Sequence, residues 1–279
     1  MCTVTAFAPA KINLTLHVGA PRADGRHPLA SLVAFADVGD EVILSEGAGA
    51  FAVSGPFAGD LAREQNNLVT RALALIAPEK SVRAALVKNL PVASGIGGGS
   101  SDAAAALRAA RLLFDLDIDD ADLARRAALL GADLPVCVYA RPALMTGTGE
   151  EVAPADFALR HAVLVNPGIA LPTASVYRRY DEIGRFGDLA GAYDVEGGRN
   201  DLEQAARDLA PAVGEALDML RAEPGARLAR MSGSGATCFA LTQDAAGAQA
   251  MVASLRQRRP NWWVQPAQLG GVDVTPRRG

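Results

Sequence analysis

Residues 10–20, AKINLTLHVGA, alternate: Ile12, Leu14, Leu16 and Val18 fall on one side and Lys11, Asn13, Thr15 and His17 on the other. A period of two predicts a β-strand with one buried face. Asp24-Gly25 predicts a turn, and residues 31–46 predict two strands interrupted at Gly39. The spacing becomes helical at 66–77, NNLVTRALALIA, with Asn66 or Asn67 available as the cap. Residues 82–90 predict a strand that leads into PVASGIGGGSS. Helices are then expected over about 101–114 and about 120–130, the second ended by Gly131, followed by a strand at 136–140, VCVYA. HAVLVNPG (161–168) predicts a buried strand, whereas 168–200 is rich in turns, aromatics and charge and shows no regular period. NDLEQAARDL and AVGEALDMLRAE predict helices, and ARLARMSGSGATCFALT reads strand, glycine turn, strand. The irregular mixture predicts an α+β fold rather than a doubly wound sheet. At 279 residues the chain suits one large domain or two ordinary ones. A division near 155–160 gives an N-terminal domain 1–157 and a C-terminal domain 158–279.

Composition narrows the class. Half of the residues are hydrophobic, enough for a core without staples. A net charge of −4 argues against a protein that coats nucleic acid, yet allows a small polyanion held locally. Cys2, Cys137 and Cys238 are odd in number, far apart and without a Cys-x-x-Cys pair, which predicts a reducing, cytoplasmic setting. No apolar run approaches the roughly 18 residues of a membrane span, and Lys11 cuts the first apolar run too short for a secretory leader. His17, His27 and His161 are too dispersed to predict a zinc site. Lysine occurs only at Lys11, Lys80 and Lys88 among 27 cationic side chains, so each invites a particular explanation.

The glycine run is the first candidate site. A helix N-terminus leaves unpaired N–H groups and carries about half a positive charge. Glycines ahead of it let the backbone wrap an anion. SGIGGGSSDAAAA therefore has the physics of a phosphate cradle, with Ser100 and Ser101 adding hydroxyls for phosphate oxygens or a metal's shell. Neither of two better-known phosphate motifs fits. A Walker A loop needs Lys-Ser/Thr where Ser100-Ser101 stands, and a Rossmann loop needs Gly or Ala at Ser100. The plainer alternative is a flexible loop in which Ser100 or Ser101 caps a helix. Three adjacent glycines cost backbone entropy, which favours the cradle.

Lys11 and Asp133 have chemistry that would suit phosphoryl transfer, a carboxylate taking a hydroxyl proton and a cation orienting it. Taken alone, Lys11 reads as readily as a solvated residue of an edge strand, and Asp133 as a cap or turn carboxylate after Gly131. Their spacing does not show that they meet.

Taken together, PAKINLTLHV, LPVASGIGGGSSDAAAAL, LGADLPV and MSGSGATCFA resemble the GHMP kinase superfamily, which places a glycine-serine loop on a helix. RADGRH, FADVGDEV, NPGIALPT and GRNDLE, in that order, resemble one branch of it, and the resemblance runs from Pro9 to about Gly271. It implies a two-domain fold with the site in the cleft between domains. It also implies ATP with Mg2+ and phosphorylation of the 2-hydroxyl of a methylerythritol carrying a cytidine diphosphate, in the non-mevalonate route to isoprenoid precursors. Carried across residue by residue, it makes Lys11 and Asp133 the catalytic pair. Pro91, Val92, Ala93, Ser94, Gly95, Ile96, Gly97, Gly98, Gly99, Ser100 and Ser101 become the ATP phosphate loop, and Asn67 and Lys88 fall in the adenine or phosphate region. Asn13, His27, Thr173 and Tyr177 fall where the cytidine half is held. The metal ligands stay unassigned, and the chain is expected as a monomer or homodimer without nucleic acid or membrane partners.

One position departs from the branch's pattern. Arg26 of DGRH stands where a tyrosine is expected to stack on the cytosine. A guanidinium plane also stacks on bases, with Tyr177 available for the other face. Arg26 reads equally as a solvated hairpin tip, His27 as a turn histidine and Tyr177 as a core aromatic. SGSGAT (232–237) is similar to the superfamily's third motif, packing beside the phosphate loop, and is equally a tight hairpin turn. Asn200, with Glu203 three residues on, is explained locally as a helix cap. Two rival functions stand beside this one. Homoserine or mevalonate kinase activity would do without cytidine recognition, and an idle nucleotide-binding module would not consume ATP.

Overall fold

In the computed structural model, which describes residues 2–61 and 67–279, the alternating run is the end of a longer strand. This is β1 (Thr3–Asn13), followed after a break by the short β2 (His17–Val18). Both of its faces are buried, not one: Lys11, Asn13, Thr15 and His17 are at most 5% exposed. The cause lies in the pairing of β1 with β3 (Leu29–Glu46), whose register shifts between Pro9 and Lys11. Across the shift β1 exchanges faces. Val4, Ala6 and Ala8 join one core cluster, whereas Ala10, Ile12 and Leu14 join another. The odd positions Lys11 and Asn13 thereby turn toward the side from which helices approach.

β3 is a single strand of 18 residues rather than two broken at Gly39. Gly39 marks a close approach: a Cβ there would stand 2.3 Å from the Ala8 carbonyl oxygen and 2.7 Å from the Phe7 ring. Glycine lets β3 run past the irregularity in its partner without ending. β3 is also the hub of the sheet. β4 (Ala52–Ser54), β5 (Val82–Val87), β6 (Ala143–Thr146) and β7 (Glu151–Pro154) extend from it. The remaining strands are β8 (Arg160–Asn166), β9 (Leu228–Met231), β10 (Cys238–Thr242), β11 (Trp263–Gly270) and β12 (Arg277–Arg278). The main path runs β12-β1-β3-β11-β8-β10-β9, with β11 meeting β3 at Leu269–Ala36 and Gly270–Phe35.

Helices cover this sheet in two groups. After the short α1 (Ala58–Leu61), helices α2 (Leu68–Ile76), α3 (Gly98–Leu113), α4 (Asp120–Ala127) and α5 (Leu134–Tyr139) close one core. Helices α6 (Thr173–Ile183), α7 (Glu203–Leu209), α8 (Pro211–Ala222) and α9 (Ala245–Arg258) close a second. A third cluster, including Ile12, Leu14, Leu164, Phe239 and Leu269, joins strands of both halves. The class is α+β, as the sequence predicts. Residues 155–159 connect β7 to β8. Among the described residues no helix is long and apolar enough to cross a membrane.

Some local expectations change. Residues 136–140 are not a strand: 136–139 belong to α5 and Ala140 is its C-cap, because a short apolar run does not separate a strand from a buried helix and Pro135 favours a helical first turn. α3 begins at Gly98, so two of the three glycines are helical. Within 168–200, α6 buries Val176 and Tyr180 and ends at Gly184 in the left-handed region. Asn67 caps α2, its Oδ1 accepting from the amides of Val69 at 2.8 Å and Thr70 at 3.2 Å. Asn66, the alternative cap, lies outside the described residues.

Candidate active site

The glycine loop reaches α3 through a chain of left-handed residues, Ala93 (φ 50°), Gly95 (φ 75°) and Gly97 (φ 63°). At Gly95 a Cβ would lie 2.5 Å from the Ser232 carbonyl and 2.7 Å from the Gly235 amide. The loop is therefore pressed against the SGSGAT turn, and only glycine fits there. Gly97 occupies the N-cap and has no side chain to offer the first-turn amides, which leaves them for a ligand. Every loop residue from Pro91 to Ser100 except Ile96 lines a cavity of about 1350 Å3. Ile96 points into the third core cluster, and its carbonyl accepts from the Lys11 amide at 2.9 Å. Ser101 is likewise fully buried, its hydroxyl donating to the Pro9 carbonyl at 2.5 Å. Their side chains are thus structural, and of the two serines Ser100 is the one that faces the cavity.

Lys11 and Asp133 meet. Lys11 Nζ donates to Asp133 Oδ2 at 2.8 Å, with the lysine side chain 4% exposed and the carboxylate 43%. Both plainer readings are set aside by this geometry. Lys11 is buried, its strand pairing with β3 at Phe35 and its amide taken by the Ile96 carbonyl of the loop. Asp133 stands at the N-cap of α5 without a side-chain capping bond. The aliphatic stem of Lys11 lies against Gly97, where a Cβ would come within 3.1 Å of its own. The ion pair and the loop are therefore in contact at one point of the cavity.

Lys88 is placed differently from a simple phosphate-facing cation. It is 2% exposed, and its Nζ lies 2.5 Å from Asp40 Oδ2 and 2.8 Å from Asp102 Oδ2. Asp40 Oδ1 in turn accepts from the amides of Asn89 at 2.5 Å and Leu90 at 2.8 Å. Burial works to lower the pKa of Lys88, but Asp102 and Asp40 outweigh it and raise it. Burial pushes the Asp102 carboxyl up to about 8 against the pull of Lys88. The triad underlies the first turn of α3, where a Cβ on Gly98 would lie 3.0 Å from Lys88 Nζ. Sequence reasoning missed Asp40 and Asp102, although an acid closing GGGSSD inside an alanine helix was a visible signal.

Asn13, Arg26, His27, Thr173 and Tyr177 line the same cavity. Asn13 Nδ2 donates to Ser31 Oγ at 2.7 Å, and Ser31 donates to the Thr15 carbonyl at 2.6 Å. His27 Nδ1 lies 2.9 Å from the Gly19 carbonyl and Nε2 lies 3.1 Å from Asp181 Oδ1. The rings of Tyr177, Tyr180 and Phe186 surround His27 at 5.1, 5.9 and 6.2 Å, and burial raises the Tyr177 phenol above its ordinary pKa. Tyr177 thus leans on His27 while also facing the cavity. Thr173 Oγ1 lies 2.9 Å from Ser234 Oγ. Arg26 is exposed at the rim.

The SGSGAT turn ties these parts together. Ser232 Oγ accepts from the Asn13 amide at 3.1 Å and donates to the Gly95 carbonyl at 3.0 Å. Asn200 does more than close a local turn. Its Oδ1 accepts from the Leu202 amide at 2.9 Å while its Nδ2 donates to the carbonyls of Met231 and Gly233, both at 2.8 Å. The expected capping box with Glu203 does not form, since Leu202 takes the N-cap of α7 and Glu203 pairs with Arg207 and Arg221.

Among the described residues no three histidine, cysteine or acidic side chains converge as a metal site. Single hard oxygen donors beside the loop amides fit Mg2+ that arrives on phosphate oxygens; Ser94 Oγ is committed to the Pro91 carbonyl at 2.6 Å, and Ser100 Oγ is the loop hydroxyl that would join its shell.

Fold and site together define a GHMP kinase. The family models "GHMP kinases N terminal domain" and "GHMP kinases C terminal" match residues 67–141 and 178–261. A curated 4-diphosphocytidyl-2-C-methyl-D-erythritol kinase of a Caulobacter species is 46% identical, over 95% of this chain and 98% of its own. One of Methylorubrum extorquens is also 46% identical, over 96% of this chain and all of its own. A crystal structure of 4-(cytidine 5'-diphospho)-2C-methyl-D-erythritol kinase superposes with a TM-score of 0.81 at 32% identity, covering 96% of this chain and all of that one. A homoserine kinase from Cytophaga hutchinsonii shares the fold, with a TM-score of 0.71 at 18% identity over 99% of this chain and 97% of its own. The chain belongs to the 4-diphosphocytidyl-2-C-methyl-D-erythritol kinase family.

Proposed function

We propose that this protein transfers the γ-phosphoryl group of ATP to the 2-hydroxyl of 4-diphosphocytidyl-2-C-methyl-D-erythritol, a step of non-mevalonate isoprenoid precursor biosynthesis. The observation that carries the reading is the 2.8 Å contact between Lys11 and Asp133 against the glycine loop. It joins a phosphate cradle to a cavity that Asn13, His27, Thr173 and Tyr177 also line. Asp133, partly open to the cavity, takes the proton of the attacking hydroxyl. Lys11 holds that carboxylate in place and offsets charge that develops on the transferring group. The first-turn amides of α3 and its dipole hold the phosphates. Bound Mg2+ supplies charge neutralisation at the phosphate oxygens. Little covalent help is needed for such a transfer, so positioning does most of the work.

Asn67 and Lys88 belong to the nucleotide end in this reading, Lys88 by anchoring the loop's helix. Arg26 takes the rim position from which its guanidinium plane covers the base. We divide the chain into domains 1–157 and 158–279, supported by the two helix groups closing different core clusters, with Leu16 and Val18 crossing into the second cluster and Val272 and Val274 returning to the first. It acts in the cytoplasm on a small molecule, as a monomer or homodimer; its three cysteines are free thiols. The test is ADP release by purified protein with ATP, Mg2+ and the cytidylated methylerythritol, run beside homoserine and mevalonate. Turnover of either of those instead would overturn the substrate, and no ADP with any would overturn the activity.

A further inference from the structure

Arg108 is a buried cation to which phosphoryl transfer, as proposed, gives no task. It lies on α3, is 2% exposed, and its contacts are all carbonyls. Nη1 donates to Cys137 O at 2.8 Å and Val138 O at 3.3 Å, and Nη2 donates to Phe7 O at 2.8 Å, while Nε has no partner. Taking a guanidinium out of water without a carboxylate is costly, so this placement needs a reason. Burial lowers its pKa to about 10, which still leaves it charged at neutral pH.

The carbonyls it holds share one property. Cys137 and Val138 close the last turn of α5, where helical carbonyls lack partners and the dipole is negative. The same six-residue helix has Asp133 at its other end. Phe7 lies on β1, four residues before Lys11. Two turns earlier on the same face of α3, Ser101 holds the Pro9 carbonyl at 2.5 Å. The helix that begins with the phosphate loop thus grips both the strand that carries Lys11 and the helix that carries Asp133. A guanidinium fork spans two such segments at once; an ammonium, a point donor, does not.

We propose that Arg108 is a positioning residue for phosphoryl transfer, fixing α5 against β1 and thereby setting the Lys11–Asp133 contact. This rests on the roles proposed for Lys11 and Asp133. The test uses R108K and R108M, each also combined with D133N. R108K should melt within a few degrees of the wild type and lower kcat by about tenfold or more, because small misplacements of reacting groups are costly. The KM for ATP should stay within about threefold, since the amide cradle lies at the far end of α3. R108M should lose more kcat than R108K. In the D133N background R108K should cost under about twofold further, the mark of two residues acting as one unit. Crystals of R108K should show Lys11 Nζ and Asp133 no longer in hydrogen-bond contact. An unchanged kcat in R108K, a full multiplicative loss on top of D133N, or an intact contact in those crystals would overturn the proposal. If R108M does not fold, R108K decides alone. If the wild type turns over no substrate, the kinase reading fails, and the R108K crystal still decides Arg108.

Discussion

Replacing Asp102 with asparagine should make the protein more tolerant of alkaline pH. Asp102 and Asp40 share the Lys88 ammonium at 2.8 and 2.5 Å in a buried site, so two carboxylates face one cation. Burial pushes the Asp102 carboxyl up to about 8, and Asp40 adds to the rise while Lys88 opposes it. In the unfolded chain the same group titrates near its ordinary 3.8. Between these values the folded state holds a proton that the unfolded state has released. The associated stability is complete below about pH 4 and is lost as pH rises toward about 8. One proton over about four pH units, at about 1.4 kcal/mol per unit, amounts to at most on the order of 5 kcal/mol. Asparagine cannot ionise, mimics the protonated acid and leaves the Lys88–Asp40 pair balanced. The assay is denaturant unfolding of wild type and D102N from pH 5 to 9, without nucleotide or divalent cation. The stability of D102N relative to wild type should climb by several kcal/mol between pH 5 and 8 and flatten above. A difference that stays constant to within about 0.5 kcal/mol would refute the reasoning.

The other predictions concern the site. Asp133→Asn and Lys11→Ala should each lower kcat by about a thousandfold or more, as loss of a base or of fixed charge does, while a fluorescent ATP analogue still binds; near-wild-type turnover in either would remove it from the chemistry. Gly95→Ala must place a methyl group 2.5 Å from the Ser232 carbonyl at φ 75°. It should destabilise by about 2 kcal/mol or more and weaken ATP binding, as read by thermal melts with and without nucleotide. Arg26→Ala should raise the KM for the cytidylated substrate by about tenfold, the worth of one stacking contact, with kcat for bound substrate little changed; an unaltered KM would return Arg26 to a solvated tip.

How much of this was legible depends on whether the signal was local. The glycine loop announced itself because backbone freedom, missing side chains and a helix start coincide in one short run. The cap at Asn67 and the strand predicted at 161–168 and found at 160–166 are equally local, whereas α6 and its stop at Gly184 went unread in a stretch without a regular period. The α5 helix was misread because five apolar residues look alike in either buried element. The two-strand reading of 31–46 took Gly39 as an interruption when it serves the partner strand's irregularity. The polar face of β1 was the deepest miss. Alternation does not tell whether polar residues face water or a site, and the register shift that turns Lys11 and Asn13 inward is marked within β1 by Pro9 alone. Resemblance to a family, rather than spacing, is what singled out Lys11 and Asp133.

The polar exceptions on α3 show what could have been read. On a helix whose six alanines are all buried, Ser101, Asp102 and Arg108 are buried as well. Burying a polar side chain is unfavourable unless a partner is waiting, so each exception predicts a contact with another element. Ser101 meets β1 at Pro9, and Asp102 meets Lys88 just beyond β5. Arg108 meets β1 at Phe7 and the end of α5. The small alanines between them let α3 lie close enough for the short side chains of Ser101 and Asp102 to reach. The helix whose N-terminus forms the phosphate cradle is therefore the same rigid body to which the carriers of Lys11 and Asp133 are fastened. Distance between bound phosphate and the ion pair is then set by one helix rather than by flexible loops, which is the condition a transfer relying on positioning requires.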